Sequence, residues 1–156
     1  MKAAVLHAPR QAMTIEDVAT AKPGRREVLV RTAAAGLCHS DLHFIEGSYP
    51  TPMPAVLGHE SAGVVEAVGE DVSYLKPGDH VISCLSMFCG HCEFCLSGHL
   101  SICQDPEVKP APGKAKRLAW KGEHMNQFLN LSSFADRKST RLNSSHVLRS
   151  RMPSSA

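Results

Sequence analysis

Four cysteines within fifteen residues constrain the fold of this chain more than any other feature of its sequence. They follow the spacing Cys89-x2-Cys92-x2-Cys95-x7-Cys103. Zinc binds four ligands in a tetrahedron, and closed sets of four thiolates are typical of structural sites that leave no position open for chemistry. The spacing therefore predicts a lobe, at about residues 84–104, that one structural zinc ion holds together.

Two disulfide bonds among the same four cysteines are the alternative interpretation. Residues 1–10 lack the apolar core of a secretory signal peptide, and no apolar run approaches the roughly 20 residues of a membrane span. We therefore expect a cytoplasmic protein with reduced cysteines and no membrane partner. The length of 156 residues, with 43% hydrophobic and 21% charged residues, indicates one soluble globular domain.

Short apolar runs in the first half of the chain predict a fold that is mainly β with short helices. Pro-Gly pairs and other turn signals separate these runs, and the absence of long amphipathic helices between them favours a compact barrel-like body. The predicted strands are Lys2–Leu6, Met13–Asp17, Val28–Ala34 and Gly63–Val68. Cys38–Glu46 is the clearest predicted helix. Residues 104–126, which are rich in proline and lysine, are expected to form a long surface loop.

The composition changes abruptly at Asp136. Residues 136–156 are rich in serine and arginine and have no periodic apolar face, which predicts a disordered tail. A basic nucleic-acid-binding arm, an ordinary tail and a non-biological sequence are the three interpretations. Codons that encode Asp136–His146 and Ser150–Ala156 spell, in one reading frame, two blocks of a widely used sequencing-library adapter. We therefore interpret 136–156 as translated adapter and exclude it from the fold.

The basic residues of this tail account for the positive net charge of the chain. The formal charge is +2, with 17 basic and 15 acidic residues. Residues 136–156 contain five of the basic residues and only one of the acidic residues, so residues 1–135 are slightly acidic. A basic patch is thus not a property of the main body, and we expect no nucleic-acid partner.

A second candidate metal site lies upstream of the four cysteines. The segment Cys38–His43 reads CHSDLH, and the segment Gly58–Glu60 reads GHE. Cysteine and histidine are suitable zinc ligands, and a catalytic zinc keeps one position for water or substrate. These segments supply one thiolate and one imidazole, so a third ligand must come from elsewhere. Alternatively, Ser40 and Asp41 cap a short helix, and Glu60 is a buried acid paired with a cation.

Together these motifs resemble the zinc-dependent medium-chain alcohol dehydrogenases, and the likeness covers residues 1–135. The matching motifs are Gly36-x-Cys38-x-Ser40-Asp41-x-His43, Gly58-His59-Glu60-x2-Gly63-x-Val65, Gly69, Pro77-Gly78-Asp79-x-Val81 and the four spaced cysteines. The resemblance implies a GroES-like, partly open β-barrel catalytic domain. In that family a Rossmann NAD-binding domain follows, but no Gly-x-Gly-x-x-Gly occurs in this sequence. We therefore expect residues 1–135 to be a truncated catalytic domain that is inactive by itself.

The resemblance also implies roles for individual residues. Cys38 and His59 would bind the catalytic zinc, while Asp41 would accept a hydrogen bond from His59 and orient it. Glu60 would lie behind the metal. The remaining assignments are Ser40 in contact with the substrate oxygen, His43 as the group that passes its proton toward solvent, His39 at the cofactor pyrophosphate, and Leu85 lining the substrate channel.

Two classes of function follow from these observations. The first is an alcohol dehydrogenase whose full-length parent binds one structural and one catalytic zinc. That parent would oxidise small alcohols to aldehydes or ketones by hydride transfer to NAD, and we expect it to be a homo-oligomer. The second is a stand-alone, zinc-stapled binding module without catalysis. A nucleic-acid-binding protein with a basic tail is a third, weaker possibility.

Overall fold

The computed structural model describes residues 1–111 and 117–140. The strands are β1 (Lys2–Leu6), β2 (Thr14–Asp17), β3 (Ala19–Thr20), β4 (Val28–Ala35), β5 (Ala55–Val56), β6 (Ser61–Val68), β7 (His80–Ile82), β8 (Leu118–Trp120), β9 (Glu123–Gln127) and β10 (Arg137–Thr140). The helices are α1 (His39–Glu46) and α2 (Glu93–Leu96), with 3-10 turns at Leu100–Ile102 and Phe128–Asn130. None of these helices has the length and apolar character needed to cross a bilayer.

The strands form two sheets that meet along the chain segment around Ala135. One sheet has the order β2-β1-β5-β9-β8-β3, and the other has the order β10-β4-β6-β7. Ala135 bridges to Ala3, the Asp136 N–H donates to the Lys2 carbonyl at 3.0 Å, and the Thr32 N–H donates to the Asp136 carbonyl at 2.9 Å. These contacts join the sheets into a partly open barrel. The predicted mainly β, barrel-like fold is confirmed.

Alternation along the strands places branched apolar side chains in the interior. In β4, Val28 and Val30 are buried while Arg31 points outward, because successive side chains of a strand face opposite sides. Val65 and Val81 from the neighbouring strands complete the same cluster. Burial of these side chains supplies the main driving force for closing the smaller sheet.

The barrel brings two chain segments together at one end. β4 runs into α1, which begins after Cys38 and ends at Gly47 with the left-handed φ of 79° that glycine adopts without strain. The turn between β5 and β6 carries residues 57–60. The Gly36 N–H donates to the Glu60 carbonyl at 3.0 Å, so the backbone itself holds this turn beside the start of α1.

The prediction of a long surface loop over residues 104–126 is wrong for residues 118–126, which form two strands. β8 and β9 form an antiparallel hairpin in which Leu118 pairs with Met125 and Trp120 pairs with Glu123. Lys121 and Gly122 make the turn, both with positive φ. Leu118 and Met125 are buried in the barrel core. The prediction missed the hairpin because the apolar side chains are few and the prolines and lysines of residues 106–116 dominate the composition.

The disorder expected over residues 136–156 is also wrong at its beginning. Arg137–Thr140 forms β10, which pairs antiparallel with β4 in the register Arg137 with Arg31 through Thr140 with Val28. Strand pairing uses backbone N–H and carbonyl groups, so a segment without a strand-like side-chain pattern can still occupy an open sheet edge. Residues 141–156 lie outside the described residues, and the adapter origin of 136–156 stays a prediction.

Among the described glycines, Gly69 leaves the least space between its own Cα and a neighbouring backbone for a side chain. Its substitution should therefore destabilise the fold. A Cβ atom at Gly69 would lie 1.9 Å from the Gly24 carbonyl oxygen and 2.5 Å from that of Arg25. Because both partners are backbone, relief requires the chain to move. Gly69→Ala should lower the free energy of unfolding by about 1–3 kcal/mol or more in urea titrations.

Gly24→Ala is the matched control for this prediction, since it lies on the other side of the same contact. A Cβ atom there would meet only the flexible Glu27 side chain, at 3.2 Å. Its urea midpoint should stay near that of the unsubstituted chain. Equal midpoints for both variants would show that the Gly69 contact does not constrain the fold.

Candidate metal centres

The four spaced cysteines converge on one point. The Sγ–Sγ distances are 3.8 Å for Cys89 and Cys95, 3.4 Å for Cys92 and Cys95, and 3.9 Å for Cys92 and Cys103. A tetrahedral zinc with Zn–S bonds of ~2.3 Å separates its sulfurs by about 3.8 Å. None of the six cysteines forms a disulfide bond. The geometry therefore fits the predicted structural zinc and not the two-disulfide alternative.

Backbone N–H groups of the lobe point at these sulfurs. The Cys92 N–H donates to Cys89 Sγ at 3.2 Å, the His91 N–H donates to the same sulfur at 3.4 Å, and the Cys89 N–H donates to Cys103 Sγ at 3.4 Å. Such bonds stabilise thiolates, the form that binds metal. Gly90 and Gly98 adopt positive φ and make the tight turns that bring the chain back to the same point.

Cys89 and Cys92 of this lobe differ in the pKa of their thiols. The backbone N–H of Cys95 lowers the pKa of Cys92 to about 6. Burial instead raises the pKa of Cys89 to about 11. A metal ion must displace the Cys89 proton to bind all four sulfurs. Metal affinity at this site therefore rises with pH, because fewer protons compete with the metal.

Removing one lobe cysteine should release the metal and destabilise the chain. Cys103 is buried beside the other three sulfurs, so Cys103→Ser leaves an incomplete ligand set. We expect this variant to lose one equivalent of zinc on dialysis against a chelator, measured by elemental analysis. We also expect its unfolding free energy to fall by several kcal/mol, because metal binding at structural sites contributes directly to folding.

Cys84→Ser is the matched control for the lobe. Cys84 is half-buried and is not a member of any candidate metal group among the described residues. This substitution should leave the zinc content unchanged and shift the unfolding free energy by less than about 1 kcal/mol. Equal zinc retention by both serine variants would contradict a four-cysteine site.

A second group of ligand atoms lies where α1 meets the turn between β5 and β6. One atom each from Cys38, His59 and Glu60 lies within 4.8 Å of the other two. His59 is buried, Cys38 is half-buried and Glu60 is exposed. A sulfur, a nitrogen and an oxygen ligand with one side open to solvent are typical of a catalytic zinc site. The donor set thus fits a zinc ion, with a Glu60 carboxylate oxygen as the third donor atom of the group.

Asp41 holds this second group together. Its Oδ1 accepts hydrogen bonds from His59 Nδ1 at 3.2 Å and from the Gly58 N–H at 3.1 Å. Its Oδ2 accepts from the Cys38 N–H at 3.3 Å. The proton on His59 Nδ1 faces the carboxylate, so Nε2 is left as the metal ligand. Asp41 therefore caps α1 and orients His59 at once, and the two interpretations drawn from the sequence are compatible.

Two glycines make room for this arrangement. A Cβ atom at Gly36 would lie 2.3 Å from Glu60 Oε2. Gly58 has a φ of +87°, and a Cβ atom there would lie 2.6 Å from the Phe134 ring. Gly58 therefore requires glycine, whereas a side chain at Gly36 would push the Glu60 carboxylate away from its present position.

The remaining predicted residues lie on α1. His39 and Ser40 are exposed in its first turn, and His43 is half-buried one turn further. The His43 ring lies between the ring of His39, with centroids 4.7 Å apart, and the ring of Tyr49, at 5.1 Å. The structure thus brings the rings of His39 and His43 together on the helix that begins after Cys38. Their relay and cofactor roles stay predictions.

A cavity of about 470 Å³ lies near the second metal group and is connected to it through Phe128, although Cys38, His59 and Glu60 do not line it. Leu85 lines it, at the place where the sequence predicted a substrate channel. The Phe128 ring links the cavity to the site, since its centroid is 6.1 Å from that of His59 and 4.5 Å from that of Phe44. Phe44 and Phe128 also line the cavity and were missed in the sequence. They are far apart along the chain, so no local pattern could have paired them.

The polar side chains of this cavity are largely engaged with the protein. Lys109 Nζ donates to the Ser101 carbonyl at 2.5 Å, and Asn130 Nδ2 donates to the Val108 carbonyl at 2.9 Å. Lys109 is the one charged residue among the described residues that line the cavity. The described walls are therefore suited to a neutral, mostly apolar ligand.

Asp41→Asn should weaken metal binding at the second group. An amide in place of the carboxylate can accept at only one atom, and its NH₂ group would face N–H donors. We expect metal affinity at Cys38 and His59 to fall about 10–100-fold, measured by competition with a chromogenic chelator. Asp17→Asn is the control, because it breaks only an exposed ion pair with Lys2. Unchanged affinity in Asp41→Asn would contradict the role of the carboxylate.

A family profile and curated relatives match most of the chain. The profile of the alcohol dehydrogenase GroES-like domain matches residues 24–127. The S-(hydroxymethyl)glutathione dehydrogenase of Haemophilus influenzae is 41% identical over 140 residues, which cover 86% of this chain and 37% of that protein. The class-3 alcohol dehydrogenase of Drosophila melanogaster is 39% identical with the same coverage. The chain thus spans less than two fifths of the length of these relatives.

Solved structures agree with this comparison. An alcohol dehydrogenase zinc-binding domain protein from Burkholderia ambifaria matches with a TM-score of 0.78 and 42% identity, covering 90% of this chain and 39% of that one. The benzyl alcohol dehydrogenase of Acinetobacter calcoaceticus matches with a TM-score of 0.75 and 36% identity, covering 90% of this chain and 38% of that one.

Proposed function

Because the chain belongs to the family of alcohol dehydrogenase GroES-like domains, we propose that it is the metal-binding catalytic domain of a zinc- and NAD-dependent alcohol dehydrogenase. The structural zinc is assigned to the four-cysteine lobe, and the catalytic zinc is assigned to the group at Cys38 and His59. The whole enzyme would be longer than this chain and would be a homo-oligomer. In isolation the chain would be inactive.

The convergence of Cys38, His59 and Glu60 is the observation that most supports this function. Their ligand atoms lie within 4.8 Å of one another, and the centroid of the His59 ring is 6.1 Å from that of Phe128, which lines the cavity. Asp41 fixes the His59 tautomer through the 3.2 Å contact to Nδ1. A structural site has no need of an open, oriented ligand set beside a cavity, whereas a catalytic metal site does.

Each group in this site has a distinct task in alcohol oxidation. When bound, zinc supplies a Lewis acid and NAD⁺ supplies the acceptor for the hydride. Cys38 and His59 hold the metal, and Glu60 provides an exposed carboxylate that can join or leave the ligand set. The product is an aldehyde or ketone, so the substrate loses one hydride and one proton.

Residues of α1 carry the proton from the site to solvent. Ser40 and His43 are three positions apart, so their side chains lie on the same face of the helix. The Ser40 hydroxyl accepts the proton of the substrate and passes its own to the His43 imidazole, which releases it to water. Tyr49 and His39 confine the His43 ring on two sides. His39, exposed at the start of α1, is assigned to the pyrophosphate of the cofactor.

The cavity favours neutral alcohols with an apolar body. Its walls include Phe44, Leu85, Met87 and Phe128. The relatives differ in substrate, since one is named for the hydroxymethyl adduct of glutathione and another for benzyl alcohol. Glutathione carries two carboxylates, which would need cations in the walls. Among the described lining residues, Lys109 is the one cation, and it is bonded to Ser101.

A stand-alone zinc-stapled module is the competing function. It would need only the four-cysteine lobe, and it gives no reason for Asp41 to be buried against His59. It predicts one tightly held zinc per chain and no redox activity. The dehydrogenase predicts two zinc ions in the full-length protein, one of which a chelator removes first.

The full-length protein should oxidise hexan-1-ol with NAD and discriminate against a charged analogue of similar length. We expect kcat/KM for hexan-1-ol to exceed that for 6-hydroxyhexanoate by about tenfold or more, followed by NADH absorbance. Leu85→Arg should reduce or reverse this preference, because it places a cation at the half-exposed rim of the cavity.

Leu96→Arg is the control for this experiment. Leu96 is 75% exposed on α2, away from the cavity, so the preference should not change. Failure of the zinc-replete protein to form NADH with any alcohol would refute the dehydrogenase. Equal use of the two alcohols would refute the substrate class alone.

A further inference from the structure

β10 buries polar side chains where its neighbours are apolar. Lys138 is 2% exposed and Thr140 is 1% exposed. The register places Lys138 opposite Val30 and Thr140 opposite Val28. Val28 and Val30 belong to the buried valine cluster of the smaller sheet. Paired residues of antiparallel strands project to the same face, so both polar side chains share the face of that cluster.

Neither side chain finds partners that match the cost of its burial. Lys138 Nζ contacts the Ser61 hydroxyl, and among the described residues it forms no ion pair. Within the described part of the chain, the Thr140 hydroxyl reaches only the Met87 sulfur, at 3.9 Å. Burial lowers the pKa of Lys138 to about 7, which reflects how poorly this environment accepts the charge. Buried polar groups without good partners destabilise a fold.

The backbone of this segment, by contrast, fits well. Ala135 bridges to Ala3, and Asp136 exchanges hydrogen bonds with Lys2 and Thr32. These bonds place the residues that follow Ala135 directly at the edge of β4. No intervening loop has to be ordered for them to pair with that strand. Connectivity therefore gives the covalent continuation of the chain an advantage over any other strand at this edge.

We propose that the edge of β4 beside Val28 and Val30 is a docking groove for an apolar strand. Its occupant is the protein's own segment after Ala135, with apolar residues at positions 138 and 140 in the natural sequence. Lys138 and Thr140 are held in the groove mainly by the backbone pairing of β10 with β4. The adapter origin inferred from codons points to the same segment, but the burial argument is independent of it.

Stability measurements on the full chain test the groove. The double substitution Lys138→Val with Thr140→Val should raise Tm by at least about 4 °C and slow amide hydrogen exchange at Val28 and Val30. Arg137→Val is the control for added hydrophobicity, since Arg137 is half-buried and binds Glu66 Oε2 at 2.9 Å. That control should leave Tm unchanged or lower. An unchanged or lower Tm in the double variant would overturn the groove.

The genomic reading frame tests the occupant. Apolar codons at positions 138 and 140 would support the assignment. Genomic codons for Lys138 and Thr140 would overturn it, even if the double variant proved more stable. Neither measurement depends on catalysis, so this inference can fail or stand separately from the dehydrogenase.

Discussion

One buried carboxylate organises the end of the barrel that carries Cys38 and His59. Asp41 accepts from the backbone at Cys38, from the backbone at Gly58 and from the His59 ring. Removing any carboxylate from water is unfavourable unless donors replace the lost hydration, and here three do. The start of α1 and the turn after β5 are therefore fixed relative to each other by the same group that sets the histidine tautomer. The hydrogen bonds of Asp41 therefore constrain both the orientation of the candidate metal ligands and the packing of this end of the barrel.

The two candidate metal centres are built in different ways. The four-cysteine site is local, since its ligands lie between Cys89 and Cys103 and its turns need only Gly90 and Gly98. The other site depends on tertiary structure, because β4 and β6 must pair in the smaller sheet before Cys38 and His59 meet. A substitution in the core can therefore disturb the second centre without touching a ligand, whereas the first is insulated from the barrel.

This difference explains what could be predicted from sequence. The lobe, α1 and the first strands followed from spacing and periodicity, which are local properties. The cavity did not, because Phe44 and Phe128 become neighbours only through the fold. The β8–β9 hairpin and β10 were missed for a related reason. These segments form strands because their backbones pair with the edges of neighbouring strands. Their side-chain patterns therefore give little indication of a strand.

The local lobe also implies an order of events during synthesis. Its contacts span few residues, so it can bind metal as soon as Cys103 leaves the ribosome. The turn at Gly58 is completed much later, when the Ser133 N–H reaches the Gly58 carbonyl and the Phe134 N–H reaches the Leu57 carbonyl, at 2.9 and 3.1 Å. Until then the hydrogen bonds of Asp41 and Gly36 hold Cys38 and His59 together without these two contacts. A nascent chain would therefore complete the site of its structural ion first, and the other site only when residues 133–134 have emerged.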